Sequence, residues 1–377
     1  MSMRLLMSTD TVGGVWHYAL ELARGLAAYN VQVTLAALGR PPNAEQRRAA
    51  AAVPELQLYH HECPLEWMQD PWPALAAAGD WLLELERRAT PDIIHLNHYC
   101  HGDLPWSAPV LMVSHSCVYS WHRWVRQRPP GPLWHYYRDT VRRGLQTANM
   151  VVAPSGAMLA EAERYYGPFR QARVIANGRR PEEFVPAVKQ PLIVCAGRLW
   201  DEAKNAATLA RIAPRLSWPV EIIGDSTHPD GGSVSLPNVS LPGPLSRRAL
   251  ARRLAVAGIY ALPARYEPFG LSALEAALAG CALVLGDIPS LREVWSDTAL
   301  FVPPADGEAL AGTLQSLIDD PQLRQAYAAR AGTRAHHFSA ERMTRDYLRN
   351  YRALLRNRTR VPIPVRRRAG SLPGHRV

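Results

Sequence analysis

Two glutamates lie eight residues apart in the segment RYEPFGLSALEAALAG, residues 265–280. Glu267 belongs to a loop-like stretch, and Glu275 falls in the opening turns of an Ala- and Leu-rich helical pattern. The first N–H groups of a helix have no partner inside it and carry a partial positive charge, so they favour a phosphate. A carboxylate can accept hydrogen bonds from the paired hydroxyls of a sugar. The pattern therefore predicts a site for a sugar diphosphate, with one acid on each side of the phosphates and Gly280 ending the helix.

The spacing also permits a plainer interpretation, in which Glu275 is a solvated helix residue and Glu267 a loop acid. A second segment, CAGRLWDEAKN, favours the diphosphate, because Arg198 directly follows an apolar strand and Lys204 comes six residues later, before a helical pattern. Either cation alone would be an ordinary surface charge. Together they can neutralise a diphosphate, the guanidinium through its fork and the ammonium as a point charge.

The first half of the chain contributes glycines and histidines to the prediction. Gly13 and Gly14 lie between an apolar strand and a helical pattern, where glycine allows a ligand to approach the backbone closely. The segment TVGGVWH lacks the GxGxxG fingerprint of dinucleotide binding, so a tight turn is the alternative. His17 follows the glycine pair and is a further candidate for the cleft. His115 follows the strand LMV, at a sheet edge where ligands sit in open α/β sheets.

Aromatic residues are dense between positions 99 and 137, and aromatic faces stack on sugars. Trp121 and Trp124, next to Arg123 and Arg126, are the predicted acceptor contacts. Core packing is the default interpretation for most of the other tryptophans.

A cluster of possible metal ligands occurs in HLNHYCHGD, which contains His95, His98, Cys100 and His101. The spacing fits no standard zinc ligand set, and nothing else in the sequence requires a metal. We therefore predict no metal site. These side chains are expected to line the acceptor side of the cleft or to cap the strand DIIHLN.

These residues must be positioned by regular elements. The run MRLLMS, the helical pattern from Val15 and the run VQVTLAAL read as strand, helix and strand, the opening of a doubly wound parallel sheet. A second βα series begins after the polar, proline-containing segment RRPEEFVPAVKQP. We predict an α/β fold of two Rossmann-like domains facing across a cleft, with boundaries at 1–183 and 184–338, a C-terminal helix at 339–355 and a disordered tail at 356–377.

Composition restricts the class of protein further. The chain has 377 residues, 47% of them hydrophobic, and no apolar run reaches the roughly 18 residues of a membrane-spanning helix. Five scattered cysteines without a CxxC pair predict reduced thiols in a cytoplasmic protein. The net charge of +10 is concentrated in a tail that could contact an anionic membrane surface or simply be solvated, and no nucleic-acid-binding motif is present. The basic residues of this tail are Arg356, Arg358, Arg360, Arg366, Arg367, Arg368 and Arg376.

Between residues 3 and 355 the chain resembles the retaining glycosyltransferases of the GT-B fold, family 4. The segment EPFGLSALE is similar to the E-x7-E signature of that family. The resemblance implies a nucleoside-diphosphate sugar donor, an acceptor that is a carbohydrate, a lipid or a small molecule, no metal or other cofactor, and a last helix that crosses back to the first domain. It implies that Glu275 bonds the ribose and that Glu267 and His115 bond the transferred hexose. The remaining donor contacts that it implies come from Gly13, Gly14, Arg198, Lys204, Phe269, Gly270 and Leu271.

Two other functions remain open from the residues alone. A nucleotide-sugar epimerase or hydrolase of the same fold would need an additional acid against the sugar, for which Asp10 and Asp103 are candidates. A non-catalytic, two-lobed sugar-binding protein is the other alternative. The four charged residues of the two motifs argue against it, because a protein that binds free sugars needs no cradle for a diphosphate.

Overall fold

The computed structural model describes residues 2–229 and 231–358. Its first domain is built on a seven-stranded, wholly parallel sheet with the order β3-β2-β1-β4-β5-β6-β7. The strand β1 has six consecutive buried residues, as expected for a parallel strand covered by helices on both faces. The strands are β1 Met3–Asp10, β2 Val31–Leu38, β3 Leu56–His61, β4 Ile93–Leu96, β5 Val110–Val113, β6 Met150–Ala153 and β7 Ala172–Val174.

The helices of the first domain pack their apolar residues on the two faces of this sheet. In the first helix, the buried positions include Ala19, Leu22, Ala23 and Leu26, which repeat at helical spacing and face the sheet. The α-helices are α1 Gly14–Ala27, α2 Ala44–Ala51, α3 Trp72–Ala89, α4 Val118–Trp121, α5 His135–Thr147 and α6 Gly156–Tyr166.

The second domain repeats the same α/β arrangement on a smaller, five-stranded parallel sheet of order β12-β11-β10-β8-β9. The predicted boundary at 183/184 falls in the linker between the two sheets. The strands of the second domain are β8 Gln190–Ala196, β9 Val220–Ile223, β10 Ala257–Leu262, β11 Ala282–Gly286 and β12 Leu300–Val302. Its α-helices are α7 Ala206–Ile212, α8 Arg247–Val256, α9 Leu271–Leu278, α10 Pro289–Trp295, α11 Gly307–Asp319 and α12 Pro321–Ala335.

The last helix, α13 Ala340–Arg358, returns to the first domain, as predicted. Tyr347 and Tyr351 are buried in the first domain's core with Leu22 of α1. Gly25 of α1 lies so close to Thr344 of α13 that a Cβ added there would overlap the threonine hydroxyl. The helix ends three residues later than predicted, and the remainder of the predicted basic tail, 359–377, lies outside the described residues.

None of the helices between residues 2 and 358, with residue 230 left out, has both the length and the apolar character to cross a bilayer. The five cysteines of the sequence are all free thiols.

Candidate active site

The glycine pair begins α1 and faces the second domain. Gly13 is the N-cap residue with φ +88°, a left-handed conformation that favours glycine. A Cβ placed on Gly13 would lie 3.5 Å from Cδ of Arg198, and one on Gly14 would lie 3.7 Å from a methyl carbon of Leu271. Loops that are far apart in the sequence therefore meet across the interdomain cleft, and the two glycines contribute no side chain to this contact.

The two predicted cations lie in the loop between β8 and α7. Arg198 donates from Nη2 to Oδ2 of Asp201 at 2.8 Å, and its side chain is 37% exposed. Lys204 donates from Nζ to Oε2 of Glu267 at 2.6 Å, and both of these side chains are nearly buried. The structure thus brings Lys204 together with the first glutamate of the signature and leaves much of the Arg198 guanidinium open.

Glu267 is held from several sides in the loop between β10 and α9. Its Oε1 accepts hydrogen bonds from the N–H of Gly270 at 3.0 Å and from that of Phe269 at 3.4 Å, and its carbonyl oxygen accepts one from Ser290. Two of the predicted main-chain donors, the N–H groups of Phe269 and Gly270, are therefore already satisfied by a carboxylate two or three residues upstream. Helix geometry leaves the N–H groups of Leu271 and Ser272 as donors without an intrahelical partner.

Glu275 lies in α9 and is buried against an arginine that the sequence analysis did not single out. Nε of Arg179 donates to Oε1 of Glu275 at 2.7 Å, and the two side chains are only 2% and 10% exposed. The alternative that Glu275 is a solvated helix residue is therefore wrong. In the sequence, Arg179 is one of several charged residues of the polar linker. Nothing in the linker indicates that its partner is a glutamate 96 residues away. Gly280 has φ +78° just beyond the helix end, as predicted for a C-terminal cap.

His115 is half-buried after β5 and is held in one tautomer by its neighbours. Asn97 donates from its side-chain nitrogen to the carbonyl oxygen of Ser8, so its Oδ1 is the acceptor for Nε2 of His115 at 2.7 Å. Burial lowers the pKa of His115 well below its ordinary value, so the ring is neutral at pH 7. A neutral ring that donates from Nε2 presents Nδ1 as an acceptor.

The matches to known families cover both domains. The model described as Glycosyltransferase Family 4 matches residues 12–183, and that described as Glycosyl transferases group 1 matches residues 190–320. The chain belongs to glycosyltransferase family 4. Its two domains are those of the GT-B fold, and the charged residues of the two motifs lie on the β8–α7 loop, on the β10–α9 loop and in α9.

Individual proteins of known sequence or structure agree with this assignment. The chain is 26% identical to D-inositol 3-phosphate glycosyltransferase of Jonesia denitrificans, over 95% of this chain and 94% of that one. Its structure is similar to that of sucrose-phosphate synthase from Thermosynechococcus elongatus, with a TM-score of 0.79, 19% identity and coverage of 94% of this chain and 100% of that one. It is also similar to Anabaena Alr3699/HepE in complex with UDP and glucose, with a TM-score of 0.74, 14% identity and coverage of 93% and 100%.

The remaining predicted site residues occupy two different places in the glycosyltransferase. His17 is exposed on the first turn of α1 and lies within electrostatic range of Arg179 and Glu275. Trp121 donates from its indole N–H to Oδ1 of Asp201 at 2.9 Å, and Trp124 packs on the same small interdomain cluster. Both tryptophans therefore contribute to the joint between the domains, and their role toward an acceptor stays a prediction.

Asp201 is a residue of this joint that the sequence analysis overlooked, although it lies inside the quoted CAGRLWDEAKN segment. Its carboxylate receives both the Arg198 guanidinium and the Trp121 indole. Burial alone would raise the pKa of Asp201, but Arg198 and Lys204, together with hydrogen bonds from Trp121 and the N–H of Ala203, lower it. An ionised Asp201 thus orients one cation of the site and links it to the first domain.

Two buried acids, Asp10 and Glu66, lie in the first domain. Asp10, at the end of β1, accepts a hydrogen bond from the N–H of Val12 at 2.7 Å, and burial raises its pKa to about 6. Glu66 accepts one from the N–H of Cys100 at 3.0 Å, and burial raises its pKa to about 7. Asp103, the other candidate of the epimerase or hydrolase alternative, is exposed and paired with Arg143.

The histidines near β4 have separate partners. His95 lies 2.5 Å from the hydroxyl of Tyr351 and 3.3 Å from that of Tyr18, so it joins β4 to α1 and α13. His98 contacts the hydroxyl of Ser8, and His101 contacts a backbone carbonyl of α3. No group of three or more His, Cys, Asp or Glu side chains that could hold a metal ion occurs in the part of the chain that the structure describes.

Proposed function

We propose that this glycosyltransferase transfers a hexose from a nucleoside-diphosphate sugar to an acceptor hydroxyl, with retention of the anomeric configuration and without a metal ion. The observation that carries the proposal is the meeting of four groups from three loops. Lys204 contacts Glu267, and Arg198 lies against Gly13 of the opposite domain. Two cations that lie next to a glycine loop and a nearly buried carboxylate suit a pyrophosphate attached to a sugar.

The cations stabilise the charge that develops on the departing diphosphate. Lys204 has three N–H donors and uses one on Glu267, so it can donate another to a phosphate oxygen. Arg198 has five donors, uses one on Asp201 and is more than a third exposed. Because both side chains are already oriented by carboxylates, they act as preorganised electrostatic stabilisers of the leaving group. The N–H groups at the start of α9 add positive potential in the same place.

The sugar is oriented by groups from both domains. Glu267, held by Lys204 and by the N–H groups of Phe269 and Gly270, accepts hydrogen bonds from hexose hydroxyls. The neutral His115 ring offers Nδ1 as an acceptor from the first domain. No protein nucleophile is assigned. The leaving phosphate oxygen takes the proton of the acceptor hydroxyl on the face that it vacates, and this path retains the configuration.

Binding of a nucleoside diphosphate is supported by the structure of Alr3699/HepE in complex with UDP and glucose, because that protein has the same fold. Inositol 3-phosphate is an acceptor candidate because one relative is a D-inositol 3-phosphate glycosyltransferase. The basic tail is a candidate for peripheral contact with an anionic membrane, and cytoplasmic location remains part of the proposal.

The test combines binding with product analysis. UDP, GDP and ADP and their glucose conjugates are titrated by calorimetry with and without EDTA, and the best donor is incubated with inositol 3-phosphate and a panel of monosaccharides. We expect binding that EDTA leaves unchanged and a glycoside whose anomeric configuration by NMR equals that of the donor. An inverted product, an EDTA-sensitive titration or the absence of nucleotide binding would contradict the proposal. Epimerised or hydrolysed donor formed at the same rate without acceptor would support the alternative enzyme.

A further inference from the structure

We propose that Arg179 is a positioning residue for the nucleotide: it orients the Glu275 carboxylate toward the two ribose hydroxyls, and it does so from the segment where the chain crosses between the domains. The inference rests on the proposed function, because it takes Glu275 to bind the ribose of a nucleoside-diphosphate sugar. It adds a residue that neither the signature nor the spacing of the motifs identifies.

The ion pair itself is the first step. Nε of Arg179 lies 2.7 Å from Oε1 of Glu275, and the two side chains are 2% and 10% exposed. A buried carboxylate with a charged hydrogen-bond partner has few accessible orientations, because turning away would leave both charges unpaired in a poorly solvated place. Oε2 and the second lone pair of Oε1 are left to accept the vicinal hydroxyls of a ribose.

The second step is the anchorage of Arg179. Its N–H donates to the carbonyl of Phe338 at 3.0 Å, and its carbonyl accepts from the N–H of Ala340 at the same distance. A Cβ on the preceding Gly178 would overlap the carbonyl of Ser339, so the two chain segments are in direct backbone contact. Arg179 is therefore fixed to the stretch between α12 and α13, where the chain leaves the second domain. The orientation of Glu275 depends on this crossing.

The third step is an unused donor. Nη1 of Arg179 is buried and has no hydrogen-bond partner among the residues that the structure describes. A buried N–H group without an acceptor destabilises a protein unless something else satisfies it. The donor belongs to the same guanidinium that holds Glu275, so Arg179 keeps a spare hydrogen-bonding group next to that carboxylate. His17 and Glu21 of α1 are within electrostatic range of Arg179, which places the guanidinium between the two walls of the cleft.

The test compares the binding of a nucleotide that has the 2′ and 3′ ribose hydroxyls with the binding of one that lacks them. The tightest-binding of UDP, GDP and ADP and its 2′,3′-dideoxy analogue are titrated against the full-length wild type, Arg179→Met and Arg179→Lys. In the wild type, loss of the hydroxyls should weaken binding roughly tenfold to hundredfold, the range for hydrogen bonds to a charged group. Arg179→Met should bind the two nucleotides with nearly equal affinity. Arg179→Lys keeps a positive charge beside Glu275 for folding but cannot reproduce the Nε donor, so its discrimination should be intermediate.

Arg253→Met is the matched control. Arg253 also pairs with a buried glutamate of the second domain, donating to Glu221 from Nε at 2.8 Å and from Nη2 at 2.6 Å. This control should retain the wild-type discrimination even if it is less stable. Wild-type discrimination in both Arg179 variants would overturn the inference while leaving the proposed function intact. If none of the three nucleotides binds the wild type, the proposed function fails and the inference falls with it.

Discussion

Nζ of Lys204 lies 2.6 Å from Oε2 of Glu267, and this contact joins the two loops that contain the motifs of the second domain. The two residues are 63 positions apart in the chain and are 13% and 12% exposed. The pair holds Glu267 toward the start of α9 and keeps a cation next to it.

Replacing Lys204 should impair the reaction itself. Lys204→Met removes an oriented donor to the leaving diphosphate, and loss of one such donor raises a barrier by about 2.7–4 kcal/mol, which corresponds to a fall in kcat of roughly a hundredfold to a thousandfold. The measurement is steady-state kinetics with the donor identified by the binding screen. The matched control is Arg215→Met in the same domain, whose exposed pair with Glu308 should contribute little. Equal kinetics in Lys204→Met and wild type would remove Lys204 from the site.

Asp201→Asn should affect the donor site through Arg198. The carboxylate accepts hydrogen bonds from Arg198 at one oxygen and from Trp121 at the other. An amide has a single acceptor oxygen and no negative charge, so it cannot hold the guanidinium and the indole in the same way. Loss of a hydrogen bond to a charged group corresponds to about 1.5–3 kcal/mol, which should appear mainly in the KM for the donor. Trp121→Phe, which removes only the indole donor, should have a smaller effect on that KM. The idea is wrong if Trp121→Phe is the more harmful of the two.

The buried Glu66 should make stability depend on pH. Burial raises its pKa from 4.5 to about 7, so the folded protein binds this proton more tightly than the unfolded chain does. The unfolded state therefore binds fewer protons between these values, and the contribution of Glu66 to stability falls as pH rises through the window and stays low above it. Glu66→Gln lacks this titration, so its stability relative to wild type should increase between pH 4.5 and 7, by up to about 3 kcal/mol. Thermal midpoints of both proteins from pH 4.5 to 8 test this, and a difference that does not change with pH would contradict it.

The contact between α1 and α13 can be tested with two glycine substitutions. Gly25→Ala would force a methyl group into the Thr344 hydroxyl, and such overpacking destabilises a protein by about 1–3 kcal/mol. Gly312→Ala, inside α11, meets no atom within 4 Å and should stabilise that helix by up to about 1 kcal/mol. The thermal midpoint should fall in the first variant and rise or stay unchanged in the second. A Gly25→Ala protein as stable as the wild type would show that α13 packs less closely than described.

Much of the fold could be predicted from the sequence because its signals are local. The run VQVTLAAL and the helical spacing from Val15 correctly predicted β2 and α1, whereas α2, β3 and α3 were not predicted. Glycine, proline and polar residues marked the loops and the linker. The spacing from Arg198 to Lys204 and from Glu267 to Glu275 predicted which βα loops would carry charge, since the carboxyl ends of parallel strands share one edge of a sheet.

The sequence by itself determined the two-domain α/β fold, the loops that carry the chemistry and the residue types in them, because these depend on spacing within single segments. Only the tertiary structure decided the partners of those residues: Arg179 for Glu275, Asp201 for Trp121, and Glu267 for the N–H groups of Phe269 and Gly270. The first two pairs are 96 and 80 residues apart and lie where the domains or the linker meet. Such pairings depend on how two domains pack together, and neither periodicity nor local charge specifies that packing.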